Sequence, residues 1–335
     1  MYMPSYPLGL RDKSFQGDAY YSAPNPPFGA VFTYYLKEEL KGREARRKES
    51  EQEAEDAGEA YRYPSWDELR AEEREQEPTM LLVVTDDDGN VVRRITGPTA
   101  KGIHRVAWDL RYPPSEPTSL APPSTDNPFS EPPQGPMVAP GTYHVTLYRQ
   151  VDGEPIRLAQ ARTVETVPLG NATLAASDRE ALLAFQHKVA RLQRAVLGAG
   201  RVAREAQERI DHLRRAATDT PGAPDDVAAR LLALEHRLQD LLVELEGDRT
   251  LRSRNAPEGP SINERVQRIV GAQWSSTSPP TRTNREAYRY AGAAFEKVLA
   301  GLRGLIGEDL AALEQELERA GAPWTPGRLP TWRME

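Results

Sequence analysis

Asp86, Asp87 and Asp88, with Asn90 just beyond, set three carboxylates and an amide within five residues. Hard oxygen donors of this kind are what calcium takes. A calcium loop of the EF-hand type alternates its ligands and closes on a distant Glu, and this run does neither. The order Asp-Asp-Asp-Gly-Asn instead suits a tight turn between two strands, with Gly89 and Asn90 tolerating positive φ. The five histidines are His104, His144, His187, His212 and His236. No two stand at the i, i+4 spacing that aims a zinc pair from one helix face. His104 and His144 fall on predicted strands and could be neighbours, but the polar face of a sheet accounts for both.

Carboxylates are abundant, so some pair will stand at glycosidase separation on any surface. Trp108-Asp109 is the most suggestive, an aromatic wall beside an acid. The simpler reading makes Trp108 a core residue and Asp109 a hydrogen-bond acceptor at a strand end. Arg191, Arg194, Arg201, Arg204, Arg209, Arg214 and Arg215 line a predicted helix and could receive phosphate or an acidic partner. Glu205, Glu208 and Asp211 interleave with them, which predicts a solvated face laced by i, i+4 pairs. The sequence contains no Gly-rich phosphate loop, no GxSxG and no HExxH. No catalytic, cofactor-binding or metal-ligating residue is therefore assigned, and no cofactor is implied. Trp108, Asp109 and Tyr112 are the candidate interaction surface.

Bulk properties narrow the classes further. The chain has 335 residues, a net charge of −7 and no cysteine. Its length suggests about two domains. The acidic balance disfavours nucleic acid, which needs a basic face. Without cysteine there is no disulfide, thiolate metal site or cysteine nucleophile. Residues 1–18 lack the apolar run of a signal peptide, and no stretch reaches the roughly 20 apolar residues of a membrane span.

Elements that would position these residues can be read along the chain. Residues 1–28, rich in Tyr, Pro and Gly, read as an extended linker. Residues 29–36 (GAVFTYYL) have strand composition. From 37 to 78 the chain becomes almost wholly charged and helix-favouring, with Ser65-Trp66-Asp67-Glu68 as a capping box. This predicts a polar helical hairpin inserted between strands, either a solvated excursion or a docking arm. Strands follow at 80–85, 91–96 and 102–110. In the last, Ile103, Arg105, Ala107 and Asp109 share one face, and His104, Val106, Trp108 and Leu110 the other. A Pro-rich loop spans 113–140. Residues 142–149 and 156–167 complete the strands, with a turn at Val151-Asp152-Gly153-Glu154. Together, residues 29–168 predict an Ig/fibronectin-like antiparallel β-sandwich.

Beyond Gly170 the apolar period changes from two to about 3.5. Ser177-Asp178-Arg179-Glu180 reads as a capping box. Leu182, Phe185, Val189, Leu192, Val196, Ala199, Ala203, Ala206, Ile210 and Leu213 follow as a heptad stripe. A second stripe runs from Val227 to Leu245. A third helix starts at the Ser261 capping box and a fourth at Thr283. In the fourth, Tyr288, Phe295, Leu299, Leu302, Ile306, Leu313 and Leu317 are expected inward. An antiparallel helical bundle over 174–320 buries these stripes; self-association through a coiled-coil seam is the rival. Residues 321–335 form a Pro/Trp tail, whose Trp324 and Trp332 are expected to pack back onto the body.

Three stretches carry a resemblance: APNPPFGAVFTYYL (23–36), DDDGNVVRRITGPTAKGIHRVAWDLRY (86–112) with APGTYHVTLY (139–148), and GAPWTPGRLPTW (321–332). They resemble the C-terminal region of bacterial sortilin-like or BNR-repeat β-propeller proteins, often labelled glycosyl hydrolase. The middle stretch is also similar to the Ig-like domain of flagellar hook-capping proteins. The propellers themselves are absent, with no internal repeat and no Asp box, and no catalytic residue of the family maps onto this chain. The resemblance implies an α+β multidomain, non-catalytic interaction module that binds protein or glycan, with a propeller domain as one partner. It also implies a truncated gene start or a split protein, extracytoplasmic if the chain is a piece of the exported family protein. A glycoside hydrolase or its accessory domain, and an oligomeric scaffold built through the heptad helices, are the alternatives.

Overall fold

The computed structural model describes residues 26–121, 132–170 and 174–334. The chain separates into two compact units, residues 1–111 with 140–167, and residues 112–139 with 168–335. Part of the Pro-rich loop and all of the linker before residue 26 lie outside the described residues.

In the first unit, β1 (Ala30–Leu36) pairs antiparallel with β4 (Gly102–Trp108) as a two-stranded sheet, Ala30 opposite Trp108 and Leu36 opposite Gly102. A second antiparallel sheet is built on β5 (Gly141–Val151). One side of β5 meets β2 (Thr79–Asp86), which pairs onward with β3 (Val91–Gly97). The other side is shared by β6 (Glu154–Arg157) and β7 (Arg162–Thr166). The hairpin turns fall where the glycines predict, with Gly89 and Gly153 both at positive φ. Alternation sorts the faces: Met80, Leu82 and Val84 are buried on β2, and Tyr143 and Val145 on β5. Trp108 of β4 meets the edge of Tyr143 at 5.2 Å between ring centroids, so the inward faces of the two sheets share this contact.

The charged segment between β1 and β2 forms α1 (Arg43–Asp56) and α2 (Trp66–Arg74). Neither helix buries a residue. Polar contacts hold them instead. Arg47 clasps Glu72 through Nε at 2.7 Å and Nη2 at 2.9 Å, and Arg43 reaches Asp152 in the β5–β6 turn at 2.7 Å.

The second unit comprises α3 (Arg179–Thr218), α4 (Val227–Glu246), α5 (Arg249–Arg252), α6 (Ile262–Gln273), α7 (Arg282–Gly304) and α8 (Ala311–Arg319). The heptad stripe of α3 is consumed inside this unit. Val196, Ala203, Ile210 and Leu213 are buried in one core with Leu231 and Leu238 of α4 and with Phe295 and Val298 of α7. At its N-terminal end the buried face departs from expectation: Gln186 and Gln193 are buried, while Phe185 and Leu192 are only partly so. Gln186 finds a partner in the Gln273 carbonyl at 2.8 Å, which makes its burial tolerable.

Two helix starts also differ from the sequence reading. The cap of α3 is Asp178, accepting the Ala181 N–H, not Ser177. The cap of α7 is Thr281, not Thr283. The capping boxes at Ser65 and Ser261 form as expected.

Between α7 and α8, residues Leu305–Leu310 wind as a π-helix. Leu305 and Leu310, five apart, are both fully buried. Continued α-helix would carry Glu308 or Asp309 toward the core; the wider turn keeps both out and restores the apolar register at Leu313 and Leu317.

The C-terminal tail does return to the body, but not through its tryptophans. Trp324 and Trp332 remain 62% and 79% exposed. Ala322, Thr325 and Arg328 are the buried residues, Ala322 joining the helical core. The Arg328 guanidinium donates to Glu318, to the Pro323 carbonyl and to the Ala322 carbonyl.

Candidate interaction surface

Trp108 has no exposed surface. Its indole N–H donates to the Arg111 carbonyl at 3.1 Å, and the Asp109 carboxylate accepts the Arg111 N–H at 3.1 Å. Leu110 sits between them at φ 58°. Two successive side chains thus satisfy both backbone groups of one residue and fix a corner at the end of β4. Trp108 is therefore a core residue and Asp109 a backbone acceptor. Tyr112 belongs to the other unit. Its ring edge meets His187 of α3 at 4.5 Å. Burial, then the charge of Arg191, holds the His187 imidazole below the ordinary histidine range. Of the three residues of the sequence-based surface, Trp108 presents no exposed side chain.

His104 and His144 each have a local partner. His104 Nε2 lies 2.6 Å from the Ala100 carbonyl, and His144 Nε2 lies 2.9 Å from Asp87 Oδ1. Asp86 accepts the Asn90 N–H at 2.8 Å, closing the turn. Among the described residues no cluster of three or more metal-ligating side chains forms.

Several carboxylates with little exposed side chain are held by arginines, whereas Glu116 receives Gln193 at 3.5 Å and keeps a buried Oε2 without a hydrogen-bond partner. Glu314 receives Arg209 through Nε and Nη2, Glu72 receives Arg47, and Glu235 receives Arg214. The hydrogen bond from Arg47 lowers the Glu72 pKa, and that from Arg328 lowers the Glu318 pKa. A glycosidase acid requires the opposite shift. Three arginines of the α3 stripe are thus employed in pairs between helices, Arg204 with Glu246 of α4 being the third. The interleaved acids of α3 contribute little beyond Asp211, which pairs with Arg214.

Exposed apolar side chains are spread over the described chain, and three aromatic ones fall within six residues. On the α1–α2 arm, Tyr61, Tyr63 and Trp66 are 53%, 76% and 74% exposed. Large aromatic rings in water are costly, and they are the residues that anchor interfaces. Local bonds order this tip. Ser65 caps α2 and receives Glu68 in return. Arg62 reaches the same Glu68 carboxylate at 3.0 Å. The Ser65 N–H, then its hydroxyl, holds the Glu68 carboxyl below the usual range, so the carboxylate that ties the tip together stays ionised. Charged residues flank the rings in sequence: Arg62, Asp67 and Arg70, the last two paired at 2.7 Å. Apolar anchors inside a polar rim are the anatomy of a protein interface.

No protein-family model, curated protein or solved structure matches the chain.

The sequence holds a signal for this tip that composition alone obscures. YRYPSW places three aromatics within six residues of a segment otherwise almost wholly charged. Neither flanking helix offers an apolar stripe to bury them.

Proposed function

We propose that this chain is a non-catalytic interaction module whose α1–α2 arm docks a partner protein through Tyr61, Tyr63 and Trp66. The exposure of these three rings at an ordered, charge-rimmed tip carries the reading. The two antiparallel sheets are read as halves of an Ig-like sandwich, supported by the seven strands among the described residues and by the Trp108–Tyr143 contact. The module is the C-terminal part of a sortilin-like propeller protein, and a propeller domain is the partner that resemblance suggests. The scaffold alternative is weakened because the heptad stripe of α3 is buried by the chain's own helices. The hydrolase alternative is weakened because Glu72, Glu235 and Glu314, carboxylates with little exposed side chain, are paired with arginine.

Site-specific photo-crosslinking in the source cells tests this. A benzophenone amino acid at position 63 is expected to capture one defined protein, and the same group at Leu232, on α4, is expected not to. No adduct at 63, or the same adduct from both positions, overturns the proposal. Retardation in a polysaccharide gel that Trp66→Ala abolishes replaces the protein partner with a glycan.

A further inference from the structure

The helical unit contains a cleft of about 670 Å³ between the first turns of α3 and those of α7. Sites for small organic ligands occupy about 300–1,000 Å³ and combine apolar walls with a few polar groups. This cleft has that make-up. Phe185 and Tyr288 meet edge to face across it, 6.0 Å between centroids, backed by a small core around Val189, Ile269 and Trp274. Pro279 and Pro280 supply a further wall.

Its charges are arranged with a sign. Each helix carries an aromatic and a cation three residues apart, hence on one face: Phe185 with Lys188 on α3, and Arg285 with Tyr288 on α7. All four line the cleft. Among the described residues, neither the Lys188 ammonium nor the Arg285 guanidinium has a hydrogen-bond or ion-pair partner. The acid lining the same space, Asp178, is engaged as the cap of α3, accepting the Ala181 N–H at 2.8 Å. Two uncommitted cations thus stand beside an aromatic and proline wall, whereas Arg204, Arg209, Arg214 and Arg215 of α3 find carboxylates.

We infer that this cleft binds a small organic anion with a flat apolar body. The apolar body lies against Phe185, Tyr288 and the proline wall, and the anionic group sits by Lys188 and Arg285. Apolar burial supplies affinity, and the cations supply selection for charge. This site is independent of the arm tip and stands or falls separately from it.

The full chain can be titrated with 1-anilinonaphthalene-8-sulfonate and with its uncharged counterpart, N-phenyl-1-naphthylamine, following probe fluorescence. The sulfonate probe is expected to bind at one site and more tightly than the neutral one. The double variant K188E/R285E is expected to weaken the sulfonate probe about tenfold and leave the neutral probe nearly unchanged. Phe185→Ala is expected to weaken both. Both charge reversals are at exposed positions, so far-UV circular dichroism and melting should match the parent. Equal binding of the two probes, or sulfonate binding indifferent to K188E/R285E in a folded variant, overturns the inference.

Discussion

Gly29 approaches the backbone of Trp108 so closely that a β-carbon on it would stand 1.9 Å from the Trp108 carbonyl oxygen. Gly29 also has φ +103°, which L side chains rarely adopt. The residue just before β1 is thus locked against the residue that ends β4, and the Pro-Pro-Phe-Gly and Trp-Asp-Leu-Arg runs, far apart in sequence, are two halves of one contact. Gly29→Ala should destabilise the sheet unit by roughly 2–4 kcal/mol, from backbone strain plus the clash. Chemical denaturation followed by tryptophan fluorescence measures it; a variant within error of the parent would refute the contact.

The corner after β4 makes a second prediction. Asp109→Ala removes the acceptor for the Arg111 N–H and should cost about 1 kcal/mol. Trp108→Phe leaves the Arg111 carbonyl without its indole donor and should cost about 1–3 kcal/mol, packing loss included. Neither should affect partner capture by the arm. Loss of capture in a folded Asp109→Ala protein would return this residue to the interaction surface.

Much of this fold is legible in the sequence, because its signals are local. The Asp-Asp-Asp-Gly-Asn turn, the alternation of Ile103 against Trp108 and the capping boxes at Ser65 and Ser261 each depend on neighbours a few residues away. The departures arise where distant partners decide. Gln186 is buried because α6 offers a carbonyl. The arginines of α3 turn to Glu246, Glu235 and Glu314 because α4 and α8 bring those carboxylates within reach. The π-turn at 305–310 resolves a conflict between helix phase and the acids at 308 and 309, which a constant period cannot express. Trp324 and Trp332 mislead for a related reason: the tail is anchored by Arg328, whose partner Glu318 lies on α8.

Arg328 is therefore the residue to remove from the tail. Its side chain is almost fully buried and ion-paired with Glu318. Arg328→Ala should destabilise the helical unit by about 2–4 kcal/mol, and truncation before Pro323 by a similar amount. Trp332→Ala should be nearly neutral. Thermal melting at 222 nm tells these apart, and a Trp332 effect equal to that of Arg328 would contradict the described packing.

His187 should give the helical unit a pH dependence of definite sign. Its folded pKa lies below the ordinary value near 6.5, chiefly through burial against neighbours that include Tyr112 and then through Arg191. The unfolded chain therefore binds the proton more readily. The contribution is complete above about pH 6.5 and is lost as pH falls through the unfolded and then the lower folded value. Relative to His187→Gln, the parent should lose melting temperature between about pH 7 and 5; parallel curves would show that the imidazole is not desolvated in the folded protein.

The central claim is that Tyr61, Tyr63 and Trp66 form the docking tip, and the most direct measurement compares the parent with Y61S/Y63S/W66S after expression in the source cells and gentle size exclusion with native mass spectrometry. Because the three rings are exposed, the triple variant should melt within about a degree of the parent. The parent is expected to elute as a stoichiometric complex with one protein and the variant to elute alone. Identical complexes from both proteins, or the parent eluting alone as well, would contradict it.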